Sequence, residues 1–244
     1  LGGSGALGVA VVAALDHAFG RVRTPSETAR VANDIERGDL GYPGGSQDSF
    51  AAALGGINKL VYAKGGGVAH HPVKISRDTL MDLEQHSLLI HTSEAHVSGN
   101  IHQDILDSYG RKNSPTFNAL VCLREAANSM AAALEVGDMA GYVDNLNLSC
   151  ENLYRLHPSC DSSAHREYCI ELEEHILGRK TCGAGGGGGM MVYTRPGHRR
   201  ACLLCARELG GVVWPVTLDF KGAVTWSGKS TCKDVFEKIL ARCK

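Results

Sequence analysis

The first eight residues of the chain have the composition of a phosphate-binding loop. They read LGGSGALG, and an apolar helical run from residue 9 to residue 15 follows at once. A loop that enters a helix in this way presents free backbone N–H groups and the positive end of the helix dipole to an anion. The alternative interpretation is a flexible linker before a core helix. The residues that we assign to phosphate binding are Gly2, Gly3, Ser4, Gly5 and Ala6.

A second glycine-rich run, CGAGGGGG at residues 182–189, lies between a polar helical segment and an apolar strand. Glycines in such a loop let the backbone approach a phosphate, or the first loop, closely. An acid-bearing segment, GGSQD at residues 44–48, lies between the two runs. Together the three segments favour a nucleotide-dependent phosphotransferase. The residues of the second run that we assign to binding are Gly183, Ala184, Gly185, Gly186 and Gly187.

Phosphoryl transfer also needs a metal ion against the phosphates and a group that orients or deprotonates the attacking hydroxyl. The Ser4 hydroxyl suits magnesium, although a serine at a helix start is also a common N-cap. Glu36 is a candidate second ligand, because a carboxylate near a helix C-terminus is otherwise unfavourable. Asp48 is the candidate base, and we expect the dipole of its short helix to keep it ionised. The alternative for Asp48 is an ordinary stabilising residue at a helix N-terminus.

Three helices are expected to position these side chains. The first spans about residues 4–19, and the third spans about residues 46–55. The second begins with Thr24 and Glu27, which form a capping box around a proline at the first helical position, and it ends near residues 38–41. A hairpin is expected next, with strands at residues 57–63 and 68–75.

The rest of the chain mixes strands and helices without a regular alternation, so the sequence predicts the α+β fold class. A strand is expected at residues 88–92, near a domain division at about residues 82–97. Helical patterns fill residues 98–177, with polar breaks near Lys112, Gly137 and His157. The later expected elements are strands at 190–193, 212–220 and 223–226, a helix at 198–209 and a closing helix from about 231.

Composition restricts the class of protein. The 244 residues carry a net charge of −1, so no basic face is expected and nucleic acid is not the expected partner. The longest apolar run, residues 6–15, is too short to span a membrane and has no basic segment before it, which predicts a cytoplasmic protein. Nine scattered cysteines indicate reduced thiols, and the isolated Cys202 and Cys205 pair indicates buried thiols rather than a metal site. His157, Cys160, His165 and Cys169 fit no standard zinc spacing.

The motifs resemble those of one kinase superfamily. LGGSGA at residues 1–6 resembles the second motif of the GHMP kinases, and CGAGGGG at residues 182–188 resembles their third motif. Glu36 and Asp48, twelve residues apart, match the spacing of the magnesium-binding glutamate and the catalytic aspartate in sugar-kinase members. Residues 45–58 and 218–226 resemble the heptose-phosphate kinase branch of the superfamily.

This resemblance implies the two-domain GHMP α+β fold with an incomplete N-terminal domain, residues 1–90, and a C-terminal domain, residues 91–244. It implies ATP and Mg²⁺ as cofactors, with Ser4 and Glu36 holding the magnesium and Asp48 activating a sugar hydroxyl. The implied substrate is a sugar or sugar phosphate, with the anomeric hydroxyl of a heptose 7-phosphate favoured. The alternatives are a kinase for another sugar, of the fucose or galactose type, and a catalytically inactive GHMP-like binding protein or fragment. The oligomeric state is left open.

The chain departs from the superfamily pattern at several places. Gly3 and Gly5 stand where serines are usual, and Ser46 replaces a lysine that members often carry two residues before the catalytic aspartate. The superfamily's first motif has no counterpart and would lie before residue 1. We therefore expect the chain as given to be inactive and poorly stable without an upstream segment.

Overall fold

Three short helices pack together at the start of the molecule. The structure is a computed structural model, and it describes residues 2–41, 44–92, 98–109 and 114–227. The helices are α1 (Gly3–Ala18), α2 (Pro25–Asp34) and α3 (Gln47–Leu54), and one π-helical turn, Ile35–Asp39, extends α2. Their common core consists of Val9, Val12, Ala29, Ala32, Phe50 and Ala53.

Local sequence signals account for the ends of these helices. The predicted capping box is present, since the Thr24 hydroxyl accepts the Glu27 N–H and the Glu27 carboxylate accepts the Thr24 N–H. The third helix ends where predicted, at Gly55, whose φ of +67° is a left-handed conformation that glycine adopts without strain.

The predicted hairpin follows α3. Strand β1 (Asn58–Tyr62) pairs antiparallel with β2 (Val68–Pro72), and Tyr62 lies opposite Val68. Helix α4 (Arg77–His86) comes next and was not predicted from its polar sequence. Its signal was the serine at position 76, whose hydroxyl accepts the N–H of Thr79 and caps the helix.

A four-stranded antiparallel sheet forms the centre of the larger part of the molecule. Its order is β4–β5–β3–β6, so the chain returns twice to the strand that follows α4. The strands are β3 (Ser87–His91), β4 (Ile176–Thr181), β5 (Gly189–Thr194) and β6 (Val212–Pro215). Leu88, Ile90, Met190 and Val192 are fully buried on one face of the sheet.

Helices cover both faces of this sheet. Helix α9 (Arg199–Glu208) packs on the face that buries Leu88, together with α8 (Ser163–Glu171). The long helices α6 (Pro115–Val136) and α7 (Met139–Leu156) pack against each other, and α7 also contacts β4. Helix α5 (Ser98–Tyr109) and a 3₁₀ turn, Pro158–Cys160, complete this part. Within the described ranges, no helix is long and apolar enough to cross a membrane.

The α+β class is confirmed, and four element predictions need correction or fall outside the description. Strand β4 was not predicted, and its first two residues, 176 and 177, fall in the segment predicted to be helical, where pairing with β5 overrides a weak local pattern. Strand β6 ends at Pro215, which lacks the N–H that a continuing ladder needs. Residues 223–226 form no strand, and the closing helix predicted from 231 lies outside the described residues.

Candidate active site

The N-terminus of α1 is open toward solvent. Gly2 is the N-cap residue, with a φ of +64°, and no side chain caps the helix. Ser4 therefore does not serve as the N-cap, and it lies exposed in the first turn beside the exposed Gly3 and Ala6. No acidic residue occupies this turn. Free N–H groups and the positive dipole end remain available to an anion, as the loop composition predicted.

Asp48 lies directly against this helix end. A Cβ atom on Gly2 would be 3.1 Å from Cγ of Asp48, and one on Gly5 would be 2.9 Å from Cβ of Asp48. The latter would also be 3.0 Å from the backbone nitrogen of Ser49. A side chain at Gly5 would have no space, and one at Gly2 would be in tight contact with Asp48, so the two glycines permit the first turns of α1 and α3 to touch. The sequence predicted that these glycines approach a phosphate, which stays a prediction, and the structure shows that two of them approach the candidate base.

The carboxylate of Glu36 interacts electrostatically with that of Asp48. Glu36 is half-buried in the π-helical turn after α2, a type of distortion that is frequent at functional sites. Its carboxylate is near enough to raise the pKa of Asp48. The predicted roles of Glu36 and Ser4 as magnesium ligands stay predictions.

The pKa of Asp48 differs in direction from the expectation. Packing against α1 desolvates the carboxyl group and raises its pKa above the ordinary value, and the Glu36 charge adds to the increase. The helix dipole alone would have lowered it. Desolvation by the neighbouring helix therefore acts on the pKa of Asp48 in the direction opposite to the dipole, and the predicted ionised state of the carboxyl group stays a prediction. A raised pKa suits a group that must accept a proton.

Tyr62 also lies near Asp48, and the sequence analysis did not identify it as a candidate site residue. It lies at the end of β1 with 52% of its surface exposed. Burial of its hydroxyl raises its pKa, a hydrogen bond with Ser46 lowers it, and the charge of Asp48 raises it again. The phenol therefore lies beside the candidate base and the buried Ser46. The register of the β1–β2 hairpin places Tyr62 near Asp48, and no local sequence motif identified it in advance.

The second glycine-rich loop, between β4 and β5, lies against the protein itself. Gly185 and Gly186 have φ values of +90° and +74°, and the N–H of Gly186 donates to the carbonyl of Cys160 at 2.8 Å. A Cβ on Gly185 would overlap that same carbonyl oxygen, and one on Gly186 would be 2.8 Å from the carbonyl oxygen of Ser159. Ala184 is buried in the same cluster, Gly187 is buried, and Gly183 is exposed. The close approach that the glycines permit is thus to the 3₁₀ turn, and their role toward a phosphate stays a prediction.

Three polar side chains behind this loop form a cluster. Nδ1 of His157 is 2.7 Å from Oγ of Ser159, and that hydroxyl donates to Oδ2 of Asp104 at 3.2 Å. Asp104 is 55 residues from Ser159 in sequence, so spacing gave no signal for the cluster.

The cysteines that the structure describes are free thiols. Cys202 is fully buried, and burial raises its pKa to about 12, as expected for an unreactive core thiol. His165 is also buried, with Nδ1 3.3 Å from Oγ1 of Thr181. In the part of the chain covered by the structure, no three His, Cys, Asp or Glu side chains converge as metal ligands would.

Sequence comparison agrees with this geometry. Residues 1–56 match the family model described as the GHMP kinases N terminal domain. The chain is 26% identical over 227 residues to the D-glycero-alpha-D-manno-heptose 7-phosphate kinase of Campylobacter jejuni. That match covers 93% of this chain and 66% of the relative, so the chain spans slightly less than two thirds of the relative's length.

Solved structures share the fold of this chain over more than nine tenths of its length. A D-glycero-D-manno-heptose 1-phosphate kinase from Bacteroides thetaiotaomicron superposes with a TM-score of 0.73 at 24% identity, covering 94% of this chain and 64% of that one. The L. major mevalonate kinase superposes with a TM-score of 0.69 at 16% identity, covering 92% and 67%. The chain therefore has the fold of the GHMP kinase structures, and residues 1–56 match the model of the GHMP kinases N terminal domain.

Proposed function

We propose that this protein is an ATP-dependent sugar kinase and that its acceptor is the anomeric hydroxyl of a heptose 7-phosphate. One observation carries the proposal: Asp48 packs against Gly2 and Gly5 at the uncapped N-terminus of α1. In the proposal Asp48 is the proton acceptor and the helix N-terminus is the anion site, which is the pairing that phosphoryl transfer to a hydroxyl requires. The name of the C. jejuni relative supplies the heptose 7-phosphate, and the choice of its anomeric hydroxyl follows the resemblance to the heptose-phosphate kinase branch.

The first turn of α1 holds phosphate in this proposal. The N–H groups of Gly3, Ser4 and Gly5 lie in the first helical turn, where they have no partner within the helix. Nucleotide bound there supplies the phosphoryl group and most of the negative charge. The turn itself carries no acidic side chain, but the Asp48 carboxylate lies beside it, so a cation bound between the two would be needed to offset that charge against the phosphates.

Asp48 orients the acceptor hydroxyl and accepts its proton. Asp48 lies in the first turn of α3, where part of the residue packs against α1 and part stays exposed to a sugar. Desolvation and the Glu36 charge raise its pKa, so the carboxylate accepts a proton more readily than a free aspartate does. The Tyr62 hydroxyl, beside Asp48, is available to hydrogen-bond the same sugar.

Ser4 and Glu36 are the residues proposed to hold magnesium. The Ser4 hydroxyl is exposed and free of a capping role, and Glu36 lies near enough to Asp48 to influence its pKa. Hard oxygen donors of this kind fit magnesium, which typically binds one or two protein ligands together with substrate phosphates. Bound there, the ion would neutralise charge that develops on the transferred group.

The proposal is tested with the full-length gene product and a panel of acceptors. ADP release and ³¹P NMR would be followed with D-glycero-D-manno-heptose 7-phosphate, the unphosphorylated heptose, galactose and fucose. We expect a new anomeric phosphate with the heptose 7-phosphate. Turnover with galactose or fucose alone would establish the alternative sugar kinase, and nucleotide binding without turnover of any sugar would establish an inactive binding protein. Asp39→Asn, an exposed carboxylate after α2, serves as the control for losses caused by charge alone.

A further inference from the structure

The segment after β6 crosses from the four-stranded sheet to the helix that carries Asp48. We name residues 216–227 the return segment. Near its start, the N–H of Leu218 donates to Oε1 of Glu84 on α4 at 2.8 Å. Near its end, Oγ of Ser227 is 2.7 Å from Nε2 of His17 on α1. Most of its side chains are exposed, so it is held by a few specific contacts rather than by a core of its own.

The middle of the return segment is bonded to the C-terminal end of α3. The carbonyl of Asp219 accepts the N–H of Gly56 at 2.6 Å, and the N–H of Ala223 donates to the carbonyl of Ala53 at 3.3 Å. These bonds involve the last turn of the helix and the turn that follows it. A helix C-terminus leaves carbonyl groups without partners inside the helix, and the return segment supplies a donor to one of them.

Two glycines make this contact as close as backbones allow. Gly55 and Gly222 both have positive φ, +67° and +65°. A Cβ on Gly222 would overlap the carbonyl oxygen of Ala53 and would be 2.7 Å from the carbonyl carbon of Leu54, and a Cβ on Gly55 would overlap the nitrogen of Gly222. The Phe220 ring covers Gly56, where a Cβ would be 3.1 Å from Cδ1 of the ring. Neither glycine can therefore gain a side chain without separating the segment from α3.

We infer that the return segment positions Asp48 by holding the far end of α3, an inference that rests on the proposed kinase function. Helix α3 has only eight residues, with Asp48 in its first turn and the bonded Ala53 in its last. A helix of two turns tilts as one body, so release of one end moves the other. Misplacement of a reacting group by about 1 Å can reduce turnover by about a hundredfold. The segment that resembled the heptose-phosphate kinase branch in sequence thereby acquires a role as a positioning element.

The inference is tested first without any assay of activity. Hydrogen exchange of the backbone N–H groups of residues 47–56 would be compared in the parent protein, Gly222→Ala and Gly66→Ala. Gly66 is the matched control, since its φ is +80° and a Cβ there would meet nothing within 4 Å. We expect exchange in α3 to rise about tenfold in Gly222→Ala, with β5 unaffected, and to stay unchanged in Gly66→Ala.

A milder variant protects the test against simple unfolding. Phe220→Ala removes a ring that is 51% exposed and lies over Gly56, and it leaves every backbone bond available. We expect a smaller rise in α3 exchange from this change. Unchanged exchange in α3 for both folded variants would overturn the inference. If Gly222→Ala does not fold, hydrogen exchange in α3 of Phe220→Ala alone decides whether the return segment holds the helix.

Turnover supplies the second measurement. In the full-length gene product we expect Gly222→Ala to lower kcat about 10- to 100-fold while KM for ATP changes less than about twofold, because the nucleotide site on α1 is not touched. Faster exchange in α3 with an unchanged kcat would overturn the positioning of Asp48. If the parent phosphorylates no sugar, the proposed function fails, and the exchange measurement still decides whether the segment holds α3.

Discussion

Gly5 of α1 faces Asp48 of α3 with no room for a side chain, since a Cβ on Gly5 would lie 2.9 Å from Cβ of Asp48. The contact explains two properties of the site together. It places the carboxyl group at the positive end of α1, and it removes water from that group and so raises its pKa. A glycine of the predicted phosphate loop thus influences the ionisation of the candidate base.

Gly5→Ala is expected to impair catalysis even though alanine favours a helix by about 1 kcal/mol relative to glycine. The new methyl group would push Asp48 and the start of α3 away from α1. Gly8→Ala is the matched control, because a Cβ on Gly8 would be in ordinary contact, 3.4 Å from Cβ of Ala32. Steady-state turnover would fall at least about tenfold for Gly5→Ala and stay near the parent rate for Gly8→Ala. Equal rates for the two variants would show that the close contact has no catalytic consequence.

Asp48→Asn is expected to reduce turnover by about 10²- to 10⁴-fold while nucleotide binding is nearly unchanged, because the amide keeps the shape and loses the proton acceptor. Calorimetric titration with a non-hydrolysable ATP analogue measures the binding, and ADP release measures the turnover. The exposed Asp39→Asn controls for the loss of one negative charge. Parent-like turnover in Asp48→Asn would show that Asp48 is not the catalytic base and is only a residue at a helix N-terminus.

Ser4→Ala and Glu36→Gln are each expected to raise the magnesium concentration needed for half-maximal activity. Each change removes one hard oxygen donor from an ion that accepts few protein ligands. Titration of activity with magnesium at fixed ATP measures the effect, with Asp39→Asn again as the control. An unchanged midpoint in both variants would refute the assignment of Ser4 and Glu36 as ligands.

The pH dependence of kcat/KM should reveal the raised pKa of Asp48. The base acts in its ionised form, so activity falls as the pH falls through that pKa. Glu36→Gln removes a charge that raises the pKa, and it should shift the acid limb of the profile to lower pH. An acid limb that does not move in Glu36→Gln would show that the two carboxylates do not interact in solution.

Stability should respond to Asp48 in the opposite direction from activity. A carboxyl group whose pKa is higher in the folded state stabilises the fold below its unfolded-state pKa, and this contribution is lost as the pH rises through the folded-state value. At neutral pH the ionised Asp48 therefore disfavours the folded state, and Asp48→Asn should raise Tm there. The difference should shrink toward about pH 3, where the carboxyl group is protonated in both states. A lower Tm for Asp48→Asn at neutral pH would contradict this account.

Local signals in the sequence predicted much of what surrounds the site. The capping box of Thr24 and Glu27, the hairpin after α3 and the end of that helix at Gly55 all follow from patterns within a few residues, and the structure confirms them. The α+β class, predicted from the order of elements along the chain, is also confirmed. The family match of residues 1–56 agrees with the predicted resemblance to the GHMP kinases. The assigned roles of Ser4, Glu36 and Asp48, and the domain division at residue 90, stay predictions.

Sequence by itself determined the candidates for the chemistry: a glycine-rich helix start and two carboxylates twelve residues apart. Only the tertiary structure decided how they meet. The approach of Gly5 to Asp48, the return of residue 222 to the end of α3, and the packing of Gly185 on Cys160 join positions that are 25 to 169 residues apart. Helical and strand periodicity reports which face of an element is buried, not which distant backbone comes to lie against it. The raised pKa of Asp48 was likewise decided by the tertiary structure, because desolvation depends on what packs around a charge and not on its neighbours in the chain.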